Sequence, residues 1–316
     1  MTESFESDEI TYALALAEDT SGKILFAARS SGLFCSTDEG KTWQDAYESL
    51  APPDALSTQA IGISPDFHSE PTIFAGVAGG VVRSQDGGKT WYISSLPAPP
   101  PVVSCLAVSP NYLEDGVVLA GTMHDGVFRS ADRGSHFVSW NFGLLDLAVM
   151  CMTMSPDYAN DETIYVGTES GIFYSRNGGR AWREVEMPFG YDPVLSLALA
   201  KGFSANGILL AGTESQGLYR SDDRGKHWIR LGESDLTEPV NEIILSSQFP
   251  ETPDVLVNMS GTLLVSHDAG NHWQPILAEV TAEDPVNTIL APQGYLPGKP
   301  AYISLSSGKT MKHIFA

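Results

Sequence analysis

The sequence predicts an all-β protein, a seven-bladed β-propeller, and three observations predict it. One octapeptide, Ser-x-Asp-x-Gly-x-x-Trp, occurs six times; its copies are 45 to 48 residues apart; and each period has room for four short strands. The copies are Ser36–Trp43, Ser84–Trp91, Ser130–Phe137, Ser175–Trp182, Ser221–Trp228 and Ser266–Trp273, with Asn177 in place of the Asp and Phe137 in place of the Trp. A period of about 40–50 residues built from strands and turns signals propeller blades, whereas helical arrays carry helical periodicity.

Each element of a blade can be read from the fifth period. The apolar run 194–200 predicts a buried inner strand, 208–212 a second, 217–221 a third, and 227–231, just after the octapeptide, a fourth. Within the octapeptide the Asp side chain suits a turn that bonds its own backbone, the Gly permits a positive φ, and the Trp covers the apolar edge of the hairpin. A seventh period lacks the octapeptide: 285–290 aligns with 239–244, and 301–306 with 208–213. The blades are expected at about 11–50, 58–97, 102–145, 148–189, 193–234, 240–280 and 286–316, all in a single domain spanning 1–316. Inner strands should begin near Tyr12, Gln59, Val103, Met150, Leu195, Glu242 and Asn287. The last blade lacks a fourth strand of its own, so residues 2–10 are expected to pair with 309–314 and close the ring; a three-stranded final blade is the other reading.

These octapeptides resemble the BNR or Asp-box repeat family, over nearly the whole chain. The linked pattern at Ser155-Pro-Asp-Tyr, continued at 163–168 and echoed at Ser64 and Ser109, is similar to propellers of the photosystem II assembly-factor type. It is also similar to those of sortilin-type receptors and xyloglucan-cleaving glycosidases. The resemblance implies the propeller fold; function has to be argued from the site.

The net charge of −21 and pI near 4.5 argue against nucleic acid and anionic lipid as partners, because both would be repelled. No apolar stretch is long enough for a membrane helix, so no membrane insertion is expected. The acidic start of the chain has no signal-peptide pattern, and Cys35, Cys105 and Cys151 have neither CxxC spacing nor an even count. These features predict a cytoplasmic protein with buried, reduced thiols.

Sialidases of the resembled family use an arginine trio, a Tyr–Glu pair and an Arg-Ile-Pro signature. No Arg-Ile-Pro occurs in this chain, and Arg83, Arg129 and Arg220 directly precede octapeptides, where they read as turn surface. Other glycosidases need two carboxylates about 5–10 Å apart. With 39 acidic residues such pairs are plentiful and uninformative, and the second propeller of the xyloglucan-cleaving enzymes is missing. His136, His227 and His272 are repeat-equivalent and so belong to different blades, which excludes a shared metal. No catalytic residue, metal ligand or cofactor is therefore assigned; if the chain were an enzyme, it would be a glycoside hydrolase.

In a repeat protein, function is expected where the copies differ. The connections between blades share one face of a propeller with the turns between second and third strands, and the departures collect there. In the connection 139–147, Trp140 is the only tryptophan outside the octapeptides, and Phe142, Leu144 and Leu145 accompany it. This group is either a partner-binding patch, or a plug over the channel or local compensation for Phe137. Longer connections at 46–59 and 96–102 are the second departure. Glu242 stands where other copies place small residues, beside Asn241 and near Asn287, and is read as a group at the channel mouth or a holder of bound water. Arg29 is a lone cation where other copies have Gly-Thr, read as a site or a structural ion pair. These residues predict a non-enzymatic scaffold or assembly factor that binds another protein through the loop face. The alternatives are a glycoside hydrolase and a carbohydrate-binding propeller.

Overall fold

The computed structural model describes residues 9–19, 22–97, 99–277 and 283–315. Seven antiparallel sheets follow one another along the chain, each formed by consecutive strands. Six have four strands; the seventh has three among the described residues. Their inner strands are Thr11–Asp19, Thr58–Ile63, Val103–Val108, Val149–Met154, Val194–Leu199, Val240–Leu245 and Val286–Leu290. Every start lies within two residues of its expected position. The fifth blade continues through Leu209–Thr213, Leu218–Ser221 and Ile229–Leu231, close to the four strands predicted for it.

The octapeptide chemistry is seen in all six copies. The serine Oγ of each copy, from Ser36 to Ser266, accepts the amide of the box glycine at 2.8–2.9 Å. The Asp or Asn carbonyl-type oxygen accepts the amide four residues on, as at Asp86 from Thr90 and Asp223 from His227, both at 2.9 Å. The box glycines take φ between 78° and 96°, which a side chain would strain. They also approach the preceding blade closely: a Cβ on Gly270 would lie 2.6 Å from Leu231 Cδ1. Each box therefore closes its own hairpin and packs one blade on the last.

A second glycine ring fixes the inner spacing. Gly76, Gly121, Gly167 and Gly212 pair with Ala60, Cys105, Cys151 and Ser196 on the neighbouring inner strand. A Cβ at any of them would collide with the first valine of the next blade, as with Val103 Cγ1 at 2.6 Å from Gly76. Blade seven meets blade one through other contacts, with Ser304 in place of the glycine. Tyr302 joins Leu14, Leu25 and Ala27 in one cluster, and Lys312 Nζ bonds Glu39 at 2.5 Å in the first box. The expected closing strand, 2–10, falls largely on residues 1–8, outside the described residues. Glu9 and Ile10 continue the first blade: the Ser30 amide donates to the Ile10 carbonyl at 2.9 Å.

Candidate functional site

All seven inner strands open alike. A buried Thr or Val (Thr11, Thr58, Val103, Val149, Val194, Val240, Val286) is followed by a β-bulge, and pairing resumes one residue later. The residue skipped by the ladder is Tyr12, Gln59, Ser104, Met150, Leu195, Asn241 or Asn287 in turn. A bulge re-aims a side chain out of the sheet, so the seven blades each deliver one side chain to the same end of the central channel.

Four of these, Tyr12, Gln59, Ser104 and Met150, line a hollow of about 330 Å³ at the mouth on the loop face. Ala148, Val149 and Met123 complete its apolar wall, and His124 and Glu169 supply its polar edge. Met123, Met150 and Tyr12 are exposed to solvent. The hollow is an apolar recess with one carboxylate beside it, the form expected of a site that takes a side chain.

The connection that leads into this hollow is tied down along its length. Trp140 donates its amide to Val127 O, and Asn141 bridges the Val127 amide and the Asp125 carbonyl at 2.8 and 2.9 Å. Trp182, the box residue of blade four, donates its ring N–H to Trp140 O at 2.7 Å and its amide to Phe142 O at 2.9 Å. The Trp140 ring lies under two guanidinium groups, Arg129 at 4.4 Å and Arg180 at 5.4 Å. Leu144 is 5% exposed and packs with Val127, Val149 and Trp182 between blades three and four. Phe142 and Leu145, by contrast, are 80% and 79% exposed. Trp140 and Leu144 thus join two blades, and Phe142 and Leu145 face water on the same connection. Tyr191, 79% exposed on the next connection, was not singled out from sequence.

The other candidates take different places. Glu242 pairs with Asn258, which occupies the position held by glycine in four other blades. Its carboxylate accepts Asn258 Nδ2 at 3.0 Å, Thr288 Oγ1 at 2.6 Å and the Ile289 amide at 3.2 Å, and so spans blades six and seven. Burial pushes its pKa up, against the pull of those donors. Asn241 is an exposed bulge residue; the Asn287 amide nitrogen is buried without a hydrogen-bond partner. Arg29, with its side chain 7% exposed, bonds Glu9 at 2.8 Å and stacks over Trp43 and Phe34 at 4.7 and 5.1 Å.

A recurring strut was missed in the sequence. Asp146, Asp192 and Asp284, each just ahead of an inner strand, accept the amides of Ser170, Ser215 and Ser307 at 2.8–2.9 Å in the turn of the blade they enter. Burial opposes ionisation of Asp146, but hydrogen bonds from Ala148, Ser170 and Thr168 outweigh it and hold the carboxyl below its ordinary range. Aligning the copies on the serine of that turn would have exposed the pattern. His136, His227 and His272 each bond the Asp of their own box at 2.5–2.7 Å. Among the described residues no group of three or more His, Cys, Asp or Glu side chains is placed to hold a metal, and no helix is long and apolar enough to cross a membrane.

Comparison with known proteins agrees with this geometry. The BNR-Asp box repeat family model matches residues 218–230, and no curated protein matches the chain. Among solved structures, the extracellular domain of a putative one-component system from B. thetaiotaomicron superposes with a TM-score of 0.71 at 15% identity, covering 96% of this chain and 38% of that one. The GH74 xyloglucanase from Xanthomonas campestris gives 0.70 at 16% identity, covering 96% of this chain and 53% of the enzyme. YCF48 bound to D1 peptide gives 0.67 at 14% identity, with 98% and 96% of the two chains covered. The chain is a seven-bladed propeller carrying BNR-Asp box repeats, and it spans well under two thirds of the first two of these structures.

Proposed function

We propose that this protein is a non-enzymatic scaffold or assembly factor that binds another protein through its loop face. The observation that carries the reading is the apolar hollow at the channel mouth, continued along the chain by exposed Leu147, Leu145 and Phe142. Large exposed apolar side chains beside a preformed recess are what a protein partner covers. YCF48, whose length matches this chain almost throughout, is a peptide-bound propeller. On this reading 1–316 is one binding domain, and the free thiols Cys35, Cys105 and Cys151 suit the cytoplasm.

Affinity capture from the native host tests it, comparing the wild type with a Phe142→Ser/Leu145→Ser variant and with an opposite-face control, Lys89→Glu. The partner should be lost only with the first variant. Equal capture by all three would refute binding through this face. The GH74 likeness supplies the competing reading, glycoside hydrolysis. Turnover of any member of a panel of aryl glycosides, abolished by Glu169→Gln, would replace the scaffold with an enzyme.

A further inference from the structure

Both faces of the ring carry carboxylates, and they differ in their cations. Among the described residues, the turns and connections of the loop face hold one lysine, Lys309, and no arginine. Exposed Glu48, Glu169, Glu186, Glu214, Glu233 and Glu238 are distributed round the same face. Lys41, Lys89, Arg133, Arg180, Lys201 and Lys299 all lie in turns of the opposite face. Arg29, at the end of a second strand, does not offset this, because Glu9 neutralises it and two aromatic rings enclose it. Glu169 at the low-dielectric recess, with uncompensated carboxylates elsewhere on the same face, draws cations toward it.

We propose that the occupant of the mouth is a cationic, apolar segment of a partner protein, with an arginine side chain seated in the hollow. The proposal rests on the loop-face reading above and names the partner chemistry. Met123, Met150 and Val149 offer adaptable apolar walls for the aliphatic stem of the side chain. Tyr12 presents a ring on which a guanidinium stacks, and Glu169 supplies the carboxylate at the rim. An acidic segment would meet repulsion from Glu169 and the other carboxylates of this face, and a purely polar cationic one would leave the recess wet.

Fluorescein-labelled peptides of about ten residues test this directly. One alternates arginine with leucine; the controls substitute glutamate for arginine or serine for leucine. The arginine–leucine peptide should bind roughly tenfold or more tightly than either control, and weaken as sodium chloride rises from about 0.05 to about 0.5 M. Met150→Lys, at an exposed position of the wall, should abolish binding without moving the melting temperature, and Glu169→Gln should weaken it several-fold. Equal affinity for the glutamate peptide, indifference to Met150→Lys, or no binding of any peptide would each overturn the proposal. Tight binding of the glutamate peptide alone would leave the loop-face reading standing and remove only the cationic partner. Failure of the loop-face reading is reported separately, by the Phe142→Ser/Leu145→Ser capture experiment.

Discussion

Replacing Leu144 by Ala should unsettle the fold, whereas the same change at Leu145, its neighbour in sequence, should not. Leu144 is 5% exposed and packed against Val127, Val149 and Trp182 across the junction of blades three and four. Truncating such a leucine removes its transfer free energy and leaves a cavity, costing about 3 kcal/mol. At an unfolding entropy of roughly 2.1 cal/mol/K per residue, a 316-residue protein loses about 1.5 °C of Tm per kcal/mol, so the expected drop is about 4–5 °C. Leu145 is 79% exposed, and its truncation should stay within about 0.5 kcal/mol, under about 1 °C. Scanning calorimetry of the two single variants reads both effects. The partner-capture assay should rank them in reverse, with Leu145→Ala weakening capture at unchanged Tm. Similar Tm shifts for the two variants would show that Leu144 is not a wedge between blades.

Other perturbations address the ion-bearing groups. Glu242 has a raised pKa in the fold, so the unfolded chain ionises first as pH rises. Stability should then decline from the ordinary glutamate pKa upward to the raised folded value, and Glu242→Gln should flatten that slope in denaturant titrations run across pH; an unchanged slope would contradict the enclosed carboxylate. The box carboxyls act with the opposite sign. Asp38 is held to about 2 by hydrogen bonds from Thr42 and Ser36. At Asp132, burial opposes ionisation but hydrogen bonds from His136 and Ser130 prevail, giving about 2. Their contribution is present above the ordinary aspartate value and should be lost as pH falls toward about 2, so Asp132→Ala should remove part of the acid transition. Glu9→Ala leaves the Arg29 guanidinium enclosed without its carboxylate, and should cost about 1–3 kcal/mol, more than Arg29→Met, in the same melts.

The parts of the fold legible in sequence were those whose chemistry is local. The box serine, Asp and Gly bond within eight residues, so the pattern survives in the string of letters and sets the blade period, from which the alignment of 285–290 and 301–306 adds the seventh blade. What eluded sequence reasoning depends on contacts across blades. Trp140 gives no local sign that Arg129 and Arg180 hold its ring, or that Trp182 bonds its carbonyl. Leu144 and Leu145 are indistinguishable as letters, and only the packing of blade four separates them. Glu242 stood out as the exception in a column of small residues. Its partner Asn258 is the largest side chain in a column of four glycines, Ala28 and Ser304, and the two columns read together would have pointed to a paired replacement. The bulge was equally unseen, because alternation counts a skipped residue as an ordinary strand position.

That bulge has a consequence for how such a chain could change allegiance. Tyr12, Gln59, Ser104, Met150, Leu195, Asn241 and Asn287 stand outside the ladder between first and second strands, and they belong to neither the box nor the glycine ring. Substitutions at the exposed ones, Tyr12, Met150 and Asn241, should be nearly neutral for folding and, being carried on separate blades, close to additive in their effect on recognition. Selection, or a combinatorial library, could therefore rewrite the specificity of the mouth one letter at a time, leaving loop lengths and the hydrophobic layers untouched.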